Sequence, residues 1–197
     1  MVKEMESNKR YVYVLLTGTN TLLARTIRIY TREPFSHASI SLDKELVELY
    51  SFARKQRFNP FNSGFVKEDI ERGVFGADRN AHCGVYEIPV TEEEYDKISD
   101  LITDFREHKD EFGYNFKGLF AAIFDKEVGD EKHFMCSQFV YHVFESTGVS
   151  LFKKGDGPVR PFHFHKNLEE QLLYRGNLHD YRDNICLSDD EEYAQAI

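Results

Sequence analysis

An α+β fold, with an antiparallel sheet or small barrel and helices packed on one side, is what three features of this chain predict. Short β-branched and aromatic runs, such as residues 11–16 and 85–90, have the composition and length of strands. Longer stretches, such as residues 91–107, repeat apolar side chains every three or four positions, as amphipathic helices do. The two kinds are mixed without regular βαβ alternation, which disfavours a parallel sheet. A chain of 197 residues is the size of one ordinary domain and is long enough to bury a real core.

In chain order, residues 11–16 (Tyr-Val-Tyr-Val-Leu-Leu) form a buried strand that ends at Thr17-Gly18. Residues 21–30 place Leu22, Leu23, Ile27 and Ile29 at helical spacing. Pro34 stops that helix, and residues 35–42 return to strand. Asp43-Lys44 is expected as a tight turn into a strand over 46–52. Asn59-Pro60 and Asn62-Ser63-Gly64 mark residues 57–64 as loop, with Phe58, Phe61 and Phe65 forming a lid over a pocket. Pro89 sets residues 85–90 at an edge or a strand end. Thr91, with Glu94 three residues on, is a capping box for a helix to about Glu107 with Tyr95, Ile98, Leu101, Ile102 and Phe105 on one face. Residues 114–124, 134–147 and 161–173 are further helices, the second stopped by Gly148.

Charge and cysteine usage narrow the function classes. A net charge of -9 argues against nucleic acid and against an anionic membrane surface as partners. Residues 1–10 are a charged extension without the apolar stretch of an export signal, so a cytoplasmic location is expected. No stretch is long enough to span a bilayer. Residues 11–186 make up the domain proper, and residues 187–197 an acidic, disordered tail. Three cysteines, an odd number without paired spacing, suit reduced thiols better than a disulfide framework.

One of these thiols carries the chemistry. Cys136 opens Cys-Ser-Gln-Phe-Val-Tyr-His-Val-Phe, on the first turn of an amphipathic helix whose apolar stripe is Phe139, Val140, Val143 and Phe144. Free N–H groups and the positive end of the helix dipole favour thiolate there, and the Cys136 N–H is a natural oxyanion donor. His37 lies far upstream on the polar face of its strand, with Ser39 and Ser41, while Ala38, Ile40 and Leu42 face the other way. An imidazole within reach of such a thiol completes a nucleophile–base pair. Taken singly, a cysteine on an amphipathic helix is ordinarily a small core hydrophobe, and a lone strand histidine is ordinarily structural.

If Asp43-Lys44 is a two-residue turn, Glu48 and Tyr50 share the face of His37, and Glu48 is placed to orient the imidazole. A one-residue change in loop length puts Leu49 and Ser51 there instead, so Glu48, Tyr50 and Ser51 stand as alternatives for the third member. Tyr50, Ser51 and Tyr114 are also the candidate substrate-contacting residues. His163 and His165, and His82 beside Cys83, lack a second pair at ligand spacing, so no metal or other cofactor is expected. His133 is expected to face solvent, and Cys83 and Cys186 to be incidental thiols.

Together, His37 with its strand and the later Cys136-Ser137-Gln138-Phe139-Val140 at a helix start resemble the YiiX-like permuted papain-fold proteins, relatives of the NlpC-type cell-wall peptidases. The histidine precedes the cysteine, the reverse of the ordinary NlpC order. The resemblance runs from about Tyr11 to Phe162 and includes the stretches 50–55 and 114–119. It implies a papain-like core, a nucleophilic Cys136, His37 as general base and a polar third residue on the next strand, a slot that Glu48 approximately fills. It further implies an amide (often a peptidoglycan-type peptide), ester or thioester as substrate, cleaved through an acyl-enzyme. An acyltransferase or thioesterase of the same fold, a peptide- or small-molecule-binding module without turnover, and a partner-binding protein acting through its acidic tail are the rival readings.

Overall fold

The computed structural model describes residues 9–18, 33–56, 59–115, 132–155 and 157–185. Six strands build one antiparallel sheet: β1 (Lys9–Gly18), β2 (His37–Ser41), β3 (Leu49–Gln56), β4 (Asn59–Glu68), β5 (His82–Thr91) and β8 (Leu172–Asn177). Their order across the sheet is β4-β3-β2-β1-β5-β8, with every neighbouring pair antiparallel. A separate two-stranded ladder pairs β6 (Gly113–Tyr114) with β7 (His133–Phe134) in parallel. Among the described residues the helices include the single turn α1 (Gly73–Gly76), then α2 (Glu92–Glu107), α3 (Cys136–Ser146) and α4 (Pro161–Asn167). The class is α+β, as the mixed pattern predicts, with α2 and α3 packed on the same face of the sheet.

That face carries Val12, Val14, Leu16, Ala38, Ile40 and Phe52, covered by Ile98, Ile102 and Phe105 of α2 and by Phe139, Val140, Val143 and Phe144 of α3. The opposite face is also dry. Tyr13, Leu15, Leu49 and Val85 pack there against Leu46, Ile70, Phe75, Leu178 and Tyr181. Burial on both faces explains why β1 reads as a continuous apolar run rather than an alternation. It also means that the serines of β2, which the sequence sets on a polar face, are fully buried.

The capping box at α2 is formed as expected: Glu94 N donates to Thr91 Oγ1 at 3.2 Å, and Thr91 N donates to Glu94 Oε2 at 2.8 Å. Such a cap stabilises a helix by about 1 kcal/mol. Pro89 sits where β5 has lost one neighbour, since β8 pairs only with the stretch from His82 to Tyr86. Its missing N–H therefore breaks no ladder on that side.

Four elements differ from the sequence reading. The link between β2 and β3 is not a two-residue turn. Asp43 accepts from the N–H groups of Val47 and Glu48, and Leu46, at φ 58°, is buried in the second core. This longer loop sets Ile40 opposite Tyr50 and Ser41 opposite Leu49. Residues 59–64, expected as loop, belong to β4, where Gly64 pairs with Ala53 and a Cβ on it would meet Lys55 Cε at 3.2 Å and Phe112 O at 3.3 Å. Tyr114 begins no helix but stands in β6. The helix expected over 161–173 ends at Asn167, and Leu172–Asn177 pairs with β5 as an edge strand because cross-strand packing of Tyr174 on Val85 outweighs local propensity. The expected helix at 21–30, most of that at 114–124, Cys186 and the acidic tail lie outside the described residues. Among the described residues no helix is long and apolar enough to cross a membrane.

Candidate functional site

Cys136 is the first residue of α3 and is 7 % exposed. Several contacts hold that helix start in place. Ser137 Oγ donates to Val159 O at 2.7 Å, and Met135 N donates to Gln138 Oε1 at 3.0 Å. The chain entering the helix is pinned by the β6–β7 ladder, in which Asn115 N donates to Phe134 O at 3.0 Å. Beyond the first turn, Phe139 packs against Phe52, Phe65 and Phe105 with ring centroids 5.2 to 5.6 Å apart. The thiol thus rides on a rigid element whose N–H groups face it.

His37 opens β2 opposite Thr17 of β1, and its ring lies 6.1 Å from that of Phe75. Its Nε2 is 2.9 Å from Glu68 Oε1. An ionised carboxylate only accepts, so Nε2–H is the donor and Nδ1 is the nitrogen left for sulfur. The imidazole shares a hydrogen bond with the Cys136 side chain, and the sulfur also receives the backbone N–H groups of Ala38 and Ser137. Glu68 Oε2 accepts from Ser39 Oγ at 2.5 Å. Thiol, imidazole, carboxylate and hydroxyl form one line, in which the His37 and Glu68 side chains are only 17 % and 10 % exposed.

Burial would suppress charge on each group, and the neighbours reverse that in every case. For His37, burial lowers the pKa, but the Glu68 carboxylate and the Cys136 sulfur outweigh it and hold the ring well above the ordinary 6.5. For Cys136, burial raises the pKa, yet the His37 imidazolium and the two N–H groups bring it below the ordinary 9.0. Glu68 is likewise held below its ordinary value by His37 and Ser39, against burial. Cys83 supplies the contrast. It is 1 % exposed, no cation among the described residues lowers its pKa, and burial pushes it up to about 12. The arrangement supports a thiolate–imidazolium pair at Cys136 and His37 and an inert thiol at Cys83.

No family model, curated protein or solved structure matches this chain.

Of the residues expected there from sequence, Cys136 and His37 come together and Glu48 does not. Its carboxylate accepts from Lys67 and from the Tyr50 hydroxyl on the other face of the sheet, and those two partners lower its pKa. The reason is the register set by the β2–β3 loop: a three-residue offset turns Glu48 and Tyr50 away from the His37 face and brings Leu49 and Ser51 onto it. Tyr50, 2 % exposed and stacked on Phe65, is a core side chain under the helices rather than a substrate contact. Ser51 shares the His37 face, beside the Glu68 carboxylate, but is fully buried and offers no surface to a substrate. Tyr114 does lie near the thiol: burial, together with the Cys136 charge, raises its pKa, so its hydroxyl stays protonated. Glu68 was not anticipated, because nothing local marks an acidic residue two strands away.

The other histidines singled out in the sequence lie elsewhere. His163 Nδ1 accepts from Arg160 N at 3.0 Å and caps α4, whereas His165 Nδ1 is 2.9 Å from the Tyr86 hydroxyl. His82 Nε2 donates to Pro34 O at 2.7 Å, and His133 is exposed. Among the described residues no group of three His, Cys, Asp or Glu side chains is arranged to hold a metal ion.

Proposed function

We propose that this protein is a cysteine hydrolase of the permuted papain-like type, with Cys136 as nucleophile, His37 as general base and Glu68 as the residue that orients His37. The single observation that carries the reading is the buried Cys136–His37–Glu68 line, with its 2.9 Å imidazole–carboxylate hydrogen bond. The Cys136 thiolate attacks an acyl carbon of an amide, ester or thioester. His37, charged at that stage, gives its proton to the leaving nitrogen, oxygen or sulfur, and an acyl-thioester remains on Cys136. Neutral His37 then takes a proton from water, hydroxide equivalent adds to the acyl carbon, and the thiolate departs. Donors for the oxyanion come from the N-terminal turn of α3, whose dipole favours negative charge there. Free thiols at Cys83 and Cys136 suit a reducing compartment, and we place the activity in the cytoplasm.

The test is intact-mass detection of an acyl-enzyme on a panel of amide, ester and thioester probes, followed by its decay. Wild type is expected to gain one acyl mass that vanishes on hydrolysis, Cys136→Ala to gain none, and His37→Ala to accumulate or lose it far more slowly. Acylation that persists in Cys136→Ala, or a folded wild type that no probe acylates, overturns the reading.

A further inference from the structure

Two donors sit at hydrogen-bond distance from the Glu68 carboxylate, one on each oxygen, with Ser51 beside it, and only one of the two is the histidine. Oε1 takes His37 Nε2 at 2.9 Å, whereas Oε2 takes Ser39 Oγ at 2.5 Å. Ser39 stands two residues along β2 from His37, so both side chains project from the same face of one strand. It is 0 % exposed, so its hydroxyl is out of reach of bulk solvent. Glu68 arrives from β4 with the flexibility of a long side chain. A carboxylate held at one oxygen swings about that single bond, while one held at both is fixed in plane and in distance. Both clamping donors come from the strand that carries the base, so any shift of β2 moves donor and carboxylate together.

We infer that Ser39 is a positioning residue of the site: its hydroxyl anchors the second oxygen of Glu68, so that the carboxylate presents the first squarely to the His37 ring beside Cys136. The inference rests on the thiol–imidazole reading given above. Loss of the hydroxyl deprives the carboxylate of a charge-assisted hydrogen bond and frees its rotation. Less of its field then reaches His37, the imidazolium is less favoured, and the Cys136 thiolate loses part of its counter-charge. Ser41 is the matched control. It lies on the same strand and face, is equally buried, and donates to Glu48 O at 3.2 Å rather than to Glu68.

The experiment compares wild type, Ser39→Ala and Ser41→Ala in two measurements across pH: the rate at which iodoacetamide alkylates Cys136, read by peptide mass spectrometry, and the NMR titration of the His37 ring. In Ser39→Ala the thiol's alkylation curve moves to higher pH, its rate at pH 6 falls about three- to tenfold, and the His37 midpoint falls. Ser41→Ala leaves both curves in place. Superimposable curves for wild type and Ser39→Ala overturn the inference, as does an equal displacement in Ser41→Ala. The two readings fail differently. A wild-type Cys136 that titrates like an ordinary thiol removes the hydrolase proposal, while the His37 titration still reports whether Ser39 acts on the imidazole through Glu68.

Discussion

Glu68 reaches His37 from two strands away. The carboxylate starts on β4 and the imidazole on β2, with β3 between them, yet Oε1 and Nε2 are 2.9 Å apart. Neighbouring strands lie about 4.8 Å apart, so the gap matches a glutamate laid flat across the sheet. The crossing is open because the residue of β3 beneath it, Ser51, is small, and because Leu49 next to it pairs directly with Glu68. A larger side chain at position 51 would block the carboxylate before it reached the ring.

Glu68→Gln is therefore expected to reduce turnover by as much as about 10⁴-fold, the loss seen when the orienting carboxylate of a nucleophile–base pair is neutralised. Glu48→Gln is expected to leave turnover unchanged and to alter stability by about 0.5 kcal/mol or less, because its ion pair with Lys67 is solvent-exposed. Steady-state rates of both variants on any probe that acylates Cys136 decide the matter. Equal losses in the two would return Glu48 to the site.

The two described thiols are expected to separate sharply in reactivity. Cys136 is held below the ordinary thiol range by His37, while Cys83, without such a neighbour, is pushed up to about 12. Iodoacetamide added to the folded protein at pH 6 should label Cys136 and leave Cys83 untouched until denaturant is added. His37→Ala should move Cys136 labelling up toward the range of an ordinary thiol. Peptide mapping of both cysteines across pH reads this directly, and parity between them in the native protein would contradict it.

The pH dependence follows from the signs of the three shifts. Cys136 is lowered, so its charged form is favoured by folding above its ordinary 9.0, and that contribution is lost as pH falls through the depressed folded value. Glu68, also lowered, behaves alike in a more acidic range. His37 is raised, so its contribution is complete below its ordinary 6.5 and is lost as pH rises through the elevated folded value. The ion pair exists only between the Cys136 and His37 transitions, and turnover against pH should be bell-shaped with that interval as its plateau. Its two limbs belong to the coupled pair rather than to either residue. In Glu68→Gln the His37 limb should move down and the Cys136 limb up, narrowing the bell from both sides. A profile that widens, or that shifts bodily in one direction, would contradict the coupling.

The fold class, the helices α2 and α3 and two of the three members of the candidate site were legible in the sequence because each is written in local pattern. The capping box at Thr91, the apolar stripe of α3 and the alternation around His37 need only neighbouring residues to be read. Glu68 was hidden because its partnership depends on the order of three strands and on the β2–β3 register. That register is set by a loop whose geometry follows from Asp43 gripping the N–H groups of Val47 and Glu48 and from the burial of Leu46. Asp43-Lys44 alone resembles a tight turn, and a register moved by three residues exchanges one face of β3 for the other. Ser51, one of the open alternatives, was on the correct face, but its burial could be learned only from the second core that covers it.

Phe65 tests how far the turn-forming residues before it mislead. Asn59-Pro60 and Asn62-Ser63-Gly64 suggest a loop, in which Phe65 would serve as part of a mobile lid and its removal would affect substrate binding more than stability. In the structure Phe65 is 3 % exposed, stacks on Tyr50 and Phe105, and meets Phe52 and Phe139 edge-on, so it ties β4 to both long helices. Phe65→Ala is expected to destabilise the protein by about 3–5 kcal/mol, the cost of emptying a well-packed aromatic site. Because Phe139 on the Cys136 helix loses a partner, Cys136 alkylation should also become less selective for the native thiol. Chemical denaturation of wild type and variant measures the first effect; a variant as stable as wild type, with weakened substrate binding alone, would restore the lid.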